Sequence, residues 1–199
     1  EELVAERGDF PALSPDGKWL AYTREEGGNG GDVEALNLET GEVVVIDSTA
    51  DYSGDPAFSP NGKFLAISRA PASGSANVSP EQRIFVHSFP DPERFSIQVV
   101  DQYADDPLWS TDGSRFYFRN GAVLYQLNVE TGETFSVQSV PTRVASFPGS
   151  IQMRVRNDVG RNALLVKHAE TNQATLSEVG ADFNVLLSAD SYVRALMGE

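Results

Sequence analysis

Four residues that recur constrain this chain more than anything else in it. Ser14-Pro15-Asp16-Gly17 returns as Ser59-Pro60-Asn61-Gly62 and again as Ser110-Thr111-Asp112-Gly113, at intervals of roughly 45–50 residues. A motif with that period means one structural unit used several times, because a unit of this size buries its apolar face only by stacking on a neighbour. Two further markers keep the same order. Pro11-Ala12-Leu13, Pro56-Ala57-Phe58 and Pro107-Leu108-Trp109 precede the three turns. "NLETGE" from Asn37 returns as "NVETGE" from Asn128, with the proline-bearing "SFPDPER", Ser88 to Arg94, between them.

The elements inside one period are strands. "KWLAYT" and "KFLAIS" follow the turns and carry aromatic and aliphatic residues, as strands do. "DVEALNL" runs through Glu-Thr-Gly-Glu into "VVVID", a strand, turn and strand in which Gly41 is expected to supply a positive φ. "VLYQLNVETGETFSV" repeats that hairpin around Gly132. One strand before the turn, one after it and a hairpin make four short antiparallel strands per period, the pattern of a β-propeller blade. The expectation is an all-β chain of about four such blades, over residues 8–49, 50–101, 102–139 and 140–188, forming a partial or partner-completed ring. In the worn fourth copy, Gly160-Arg161 stands where Gly17-Lys18 would be, and a hairpin is expected near Gly180-Ala181-Asp182. Ser188 as N-cap, with Val193, Leu196 and Met197 on one face, predicts a short helix or tail over 189–199.

Bulk properties narrow the function classes. The chain has 199 residues and a formal net charge of −14, from 29 acidic and 15 basic residues. That balance opposes a nucleic-acid surface, which needs a basic footprint, and opposes docking on anionic lipid. Without an 18-residue apolar run, direct membrane insertion is not expected. The opening "EELVAERGDF" has no basic stretch leading into an apolar one, and no initiator Met; the expectation is a segment cut from something longer, without a secretory leader of its own. There is no Cys, so disulfides, thiolate nucleophiles and zinc-thiolate sites are excluded.

The repeat resembles the WD40-like (PD40) repeat of TolB-type propellers. The matching residues are Pro11, Ser14, Pro15, Asp16, Gly17, Lys18, Gly30, Asp32, Asn37, Leu38, Thr40 and Gly41. Two departures are Glu34, where the family often has an aromatic residue, and the loss of Ser-Pro-Asp in blade four. The resemblance implies a non-catalytic propeller that binds or scaffolds other proteins, in the periplasm or outside the cell. It equally leaves open the gating propeller of a prolyl-oligopeptidase-like serine peptidase whose catalytic domain is elsewhere. The stretch from Arg115 to Val137 is also similar to sensor propellers of bacterial signalling proteins. Such rings usually close with more blades than this chain has, so the implied partners are another protein, or further blades from the same or another chain.

Candidate site residues fall into two sets. Asp16, Gly17, Asn61, Gly62, Asp112 and Gly113, with Gly41 and Gly132, read as structural turn residues. Pro second, Asp or Asn third and Gly fourth suit a β-turn, whereas a Ca²⁺ loop needs several oxygens at short spacing. The turns of successive blades are expected to lie far apart. The second set is Asp9, Asp55, Asp105 and Asp106, just ahead of the prolines of the first strands. These acids either solvate the loops or ring the mouth of the central channel, where they would attract a basic peptide or a cation such as Ca²⁺. No other cofactor is expected. His87 and His168 sit in strand-like runs and read as packing or surface residues. Trp19 and Trp109 read as packing between blades. No Gly-x-Ser-x-Gly elbow is present, so no hydrolase nucleophile of that type is expected.

Overall fold

The computed structural model describes residues 8–26, 30–49, 52–71, 81–146, 150–158, 161–168 and 183–186, with side chains described over 8–24, 31–49, 52–71 and 81–146. Blade one is β1 (Gly8–Leu13), β2 (Trp19–Glu26), β3 (Gly30–Asn37) and β4 (Val43–Asp47), paired antiparallel in chain order. Blade two repeats this with β5 (Tyr52–Phe58), β6 (Phe64–Ala70), β7 (Arg83–Ser88) and β8 (Ser96–Gln98). Blade three has β9 (Asp105–Trp109), β10 (Arg115–Asn120) and β11 (Val123–Thr131). Its outer strand comes in two pieces, β12 (Phe135–Val137) and β13 (Thr142–Ser146), both antiparallel to β11. That strand therefore runs on past residue 139.

The first strands stand side by side: β1 contacts β5, β5 contacts β9, and β9 contacts β14 (Ser150–Asp158). The sheets consequently stack face to face with their first strands along one inner edge, which is the propeller arrangement. The core lies in layers between blades. Ala21, Val33 and Ala35 of blade one pack with Phe58, Leu65 and Ile67 of blade two. Phe64, Ala66, Ile84 and Val86 of blade two pack with Trp109, Phe116, Phe118 and Leu127 of blade three. In β6 the period of two sends Leu65 and Ile67 backward and Phe64 and Ala66 forward, so both faces of a middle blade are buried. Phe64, Leu65 and Ile67 each contribute about 1.5–3 kcal/mol on burial, and Ala66 less.

The fourth repeat departs from expectation. Among the described residues, β14 pairs antiparallel with β15 (Arg161–His168), but β15 pairs parallel with β16 (Phe183–Leu186) rather than antiparallel as in a blade. A parallel pair needs a crossover, not a tight hairpin. Blade four carries neither the Ser-Pro-Asp of blade one nor the Thr-Gly pair of blades one and three. The turns expected at Gly160 and Gly180, and the helix expected over 189–199, lie outside the described residues.

Candidate functional site

The Ser-x-x-Gly turns are closed by their own atoms. In the first, the Ser14 hydroxyl donates to Asp16 Oδ1 at 2.6 Å and accepts from the Trp19 amide at 2.9 Å; the Lys18 amide donates to the same Asp16 oxygen at 3.1 Å. Ser59 with Asn61, and Ser110 with Asp112, repeat these bonds. Gly17, Gly62 and Gly113 all take positive φ, between 69° and 73°. Asp112 is pushed down to about 2, first by the Ser110 hydroxyl, then by bonds from Ser114. Asp16 is lowered for the same reason, by Ser14 and then the Lys18 amide.

One sequence expectation about turns needs correction. Consecutive turns are not far apart: a Cβ on Gly113 would stand 3.8 Å from Pro60 Cδ, and one on Gly62 would stand 3.9 Å from Pro15 Cδ. Stacked blades bring equivalent turns into contact, even though each carboxylate serves its own turn. Asn61 also donates across to the Thr131 carbonyl of blade three. Gly41 has φ 76°, but Gly132 is not among the positive-φ glycines. The blade-three hairpin pairs as far as Thr131 with Phe135, so its tip falls on residues 132–134. In blade one the strands end earlier, at Asn37 and Val43.

The acids ahead of the prolines are built on a bulge. Each first strand carries one extra residue against its neighbour: between Asp9 and Ala12 in blade one, between Gly54 and Ala57 in blade two, and opposite Tyr117–Arg119 in blade three. The residue before each proline is left-handed: Phe10 (φ 53°), Asp55 (φ 51°) and Asp106 (φ 51°). Non-glycine residues rarely adopt that region, and a following proline restricts them further. This backbone costs of order 1–3 kcal/mol per site and persists only where its surroundings hold it.

The bulges draw Asp55, Asp105 and Asp106 together. One carboxylate oxygen of each lies within 4.8 Å of the others. Asp105 is buried and the other two are half-buried. Asp9 is not in this cluster; it is exposed and pairs in register with Thr23. In register Asp9 matches Gly54 and Asp105, while Asp55 and Asp106 match Phe10, so blade one presents a phenyl ring where its neighbours present acids.

Three residues that sequence reasoning missed complete the site. Arg119 joins Asp105, and its Nε meets Asp106 Oδ2 at 2.7 Å. Burial works against the guanidinium's charge, but Asp106 and Asp105 outweigh it and its pKa rises. Gln82 Nε2 donates to Asp105 Oδ1 at 3.1 Å, and the Tyr103 hydroxyl donates to Asp105 Oδ2 at 3.1 Å. Burial first, and the Asp105 charge second, raise the Tyr103 phenol. The repeat held a signal for Arg119: its positional equivalents in β2 and β6 are Thr23 and Ser68. Chemically the site is three carboxylates against one guanidinium, a set able to hold a second cationic group. Among the described residues, Asp55, Asp105 and Asp106 could also ligate a metal ion.

Among the described residues, no histidine or tryptophan enters this site. His87 is buried in β7, its Nε2 has no hydrogen-bond partner, and burial pushes it down to about 4 despite the opposing charge of Asp47. Trp109 packs edge-on against Phe116 and Phe135 and donates from Nε1 to the Ala57 carbonyl of blade two at 3.0 Å. Trp19 packs edge-on against Phe89. His168 lies where side chains are not described.

Neither a family model nor a curated protein matches the sequence. Solved structures do match. A TolB-like protein of Agrobacterium tumefaciens superposes with TM-score 0.53 at 13% identity, over 68% of this chain and 51% of that one. TolB from Acinetobacter baumannii gives 0.52 at 16% identity, over 84% and 43%. A prolyl endopeptidase gives 0.52 at 18% identity, over 79% and 24%. Likeness at these identities shows the fold alone: the chain is a propeller of TolB-like fold. It spans 51% and 43% of the two TolB-like chains, about half their length.

Proposed function

We propose that the chain is a non-catalytic, protein-binding propeller segment whose recognition point is the inner-edge acid cluster of Asp55, Asp105 and Asp106. The observation that supports this is the convergence of three carboxylates within 4.8 Å of one another, with Arg119 offsetting one charge. At such a separation, and an effective dielectric of about 20, two like charges repel by roughly 3–4 kcal/mol before the other partners of the cluster are counted. A lysine or arginine of a partner relieves that repulsion. The backbone strain at Asp55 and Asp106 is of the kind kept at functional positions. The protein's net charge of −14 steers basic segments toward it from a distance. A periplasmic or extracellular setting suits this reading.

Calorimetric titration with an arginine-rich peptide, and separately with Ca²⁺, tests it. Asp55→Asn and Asp106→Asn should each weaken peptide binding about tenfold or more, with the effect shrinking as salt rises. No binding by the parent, or isotherms that ignore both substitutions, would overturn the proposal. Binding of Ca²⁺ without peptide would transfer the site to a cation. The likeness to a prolyl endopeptidase supports a second reading, a gating propeller. A hydrolase domain encoded with this segment would favour it.

A further inference from the structure

Asn-Gly occurs three times in the chain, and two of the pairs lie wholly among the described residues. The dipeptide has a chemistry of its own. Glycine has no Cβ to hinder its nitrogen, so that nitrogen can attack the side-chain amide before it. The surroundings of each pair decide whether it reacts. At Asn61–Gly62 the reacting atoms are held. Asn61 Oδ1 accepts from the Ser59 hydroxyl at 2.8 Å and from the Lys63 amide at 3.0 Å, and Nδ2 donates to the Thr131 carbonyl. The Gly62 amide donates to the Ser59 carbonyl at 2.9 Å. The other two copies of this turn carry aspartate, which cyclises from its protonated form. Ser14 and Ser110 favour the ionised form of both carboxyls.

Asn120–Gly121 has none of these restraints. Asn120 pairs with Val123 in register, which leaves Gly121 and Ala122 as a two-residue hairpin loop. Gly121 has φ 57°, as the first loop position of a type II′ turn requires. The turn therefore needs Gly121 but not Asn120. Among the described residues, neither the Asn120 side-chain amide nor the Gly121 amide has a hydrogen-bond partner. A Cβ on Gly121 would meet nothing within 4 Å, so the loop is open to water. We propose that Asn120–Gly121 is a site of spontaneous covalent modification, converting to aspartate and isoaspartate through a cyclic imide. The Gly121 nitrogen bonds to Asn120 Cγ, the Cγ–Nδ2 bond breaks, and ammonia leaves with the Gly121 amide proton. Water then opens the ring. Opening at Cγ gives aspartate, and opening at the backbone carbonyl gives isoaspartate, with one more carbon in the main chain. Either product adds a carboxylate beside Arg119, whose Nη1 lies 3.5 Å from the Gly121 carbonyl and which holds Asp105 and Asp106. Conversion thus makes the acid cluster a stronger site for basic segments, a consequence that rests on the cluster being a peptide site.

Peptide mapping by mass spectrometry, after incubation in mildly alkaline solution, tests the proposal. The Asn120 peptide should gain the mass of an amide turned acid about tenfold faster than the Asn61 peptide, since a barrier raised by the worth of one or two hydrogen bonds already slows a reaction by that factor. In the urea-unfolded chain the two should convert at similar rates. Asn120→Gln, which must close a larger ring, should abolish the fast conversion. Asn120→Asp stands for the converted protein. Calorimetry should show it binding an arginine-rich peptide about twofold to fivefold more tightly than the parent, the worth of one exposed charge pair. Equal rates at the two sites in the folded protein, or an Asn120 that stays unconverted, would overturn the modification. Equal peptide affinity of parent and Asn120→Asp would overturn its consequence for the cluster. A parent that binds no peptide would overturn the peptide reading of the cluster and that consequence with it, while the mapping alone decides the modification.

Discussion

Asp112 and His87 show how a single side chain sets a local response to pH. The Asp112 carboxyl, held near 2 by Ser110 and Ser114, stabilises the fold above its ordinary value of 3.8. That contribution is lost as pH falls from about 4 through 2, because the unfolded chain takes up the proton first. The group is exposed, so solvent screening limits the effect to about 1 kcal/mol or less. Asp112→Asn should flatten the urea midpoint against pH over that window. His87 acts over a milder range. Burial keeps it neutral down to about 4, while the unfolded imidazole is protonated below 6.5, so stability falls as pH drops from 6.5 to 4. The full difference is about 3 kcal/mol. Leu36 and Leu127 hold the equivalent place in the other blades, so His87→Leu should remove this slope without lowering stability at pH 7. Chemical denaturation at several pH values reads both effects.

At the scale of the strand, the bulge before each proline decides where the acids point. Asn and Gly tolerate a left-handed backbone and β-branched residues do not. Asp55→Val should therefore lower stability by about 1–2 kcal/mol, whereas Asp55→Gly should be neutral or stabilising while still weakening peptide binding. Unfolding free energies set beside calorimetry separate backbone strain from charge. The turns obey the same logic: Gly113→Ala combines φ +72° with a Cβ 2.8 Å from Thr131 Oγ1, and should cost about 1–2 kcal/mol. Strand order, turn positions and blade period were legible from the spaced markers, because a turn motif and period-two alternation are local. The bulge was not, since its extra residue shows only against the neighbouring strand. Without it Asp9 looked equivalent to Asp55, although the shared prolines at 11, 56 and 107 place Phe10 there.

At the scale of the molecule, stability resides between blades. Trp109 fills the layer between blades two and three and bonds the Ala57 carbonyl. Trp109→Phe removes that bond and leaves a void, and should cost about 1–3 kcal/mol. Trp109→Ala should cost about 3–5 kcal/mol. Both should lower the denaturant midpoint in one cooperative step, because no blade buries its faces alone.

The sequence by itself determined the all-β class, the four-strand unit, the three Ser-x-x-Gly turns and the inter-blade role of Trp109. Those are properties of neighbours along the chain. Tertiary structure alone decided that Asp55, Asp105 and Asp106 meet while Asp9 stays apart, that Arg119 sits among them, and that equivalent turns touch. It also decided that β15 and β16 of the fourth repeat pair in parallel. Each depends on which blade stands beside which, and that relation is set by stacking between repeats rather than by the pattern inside one.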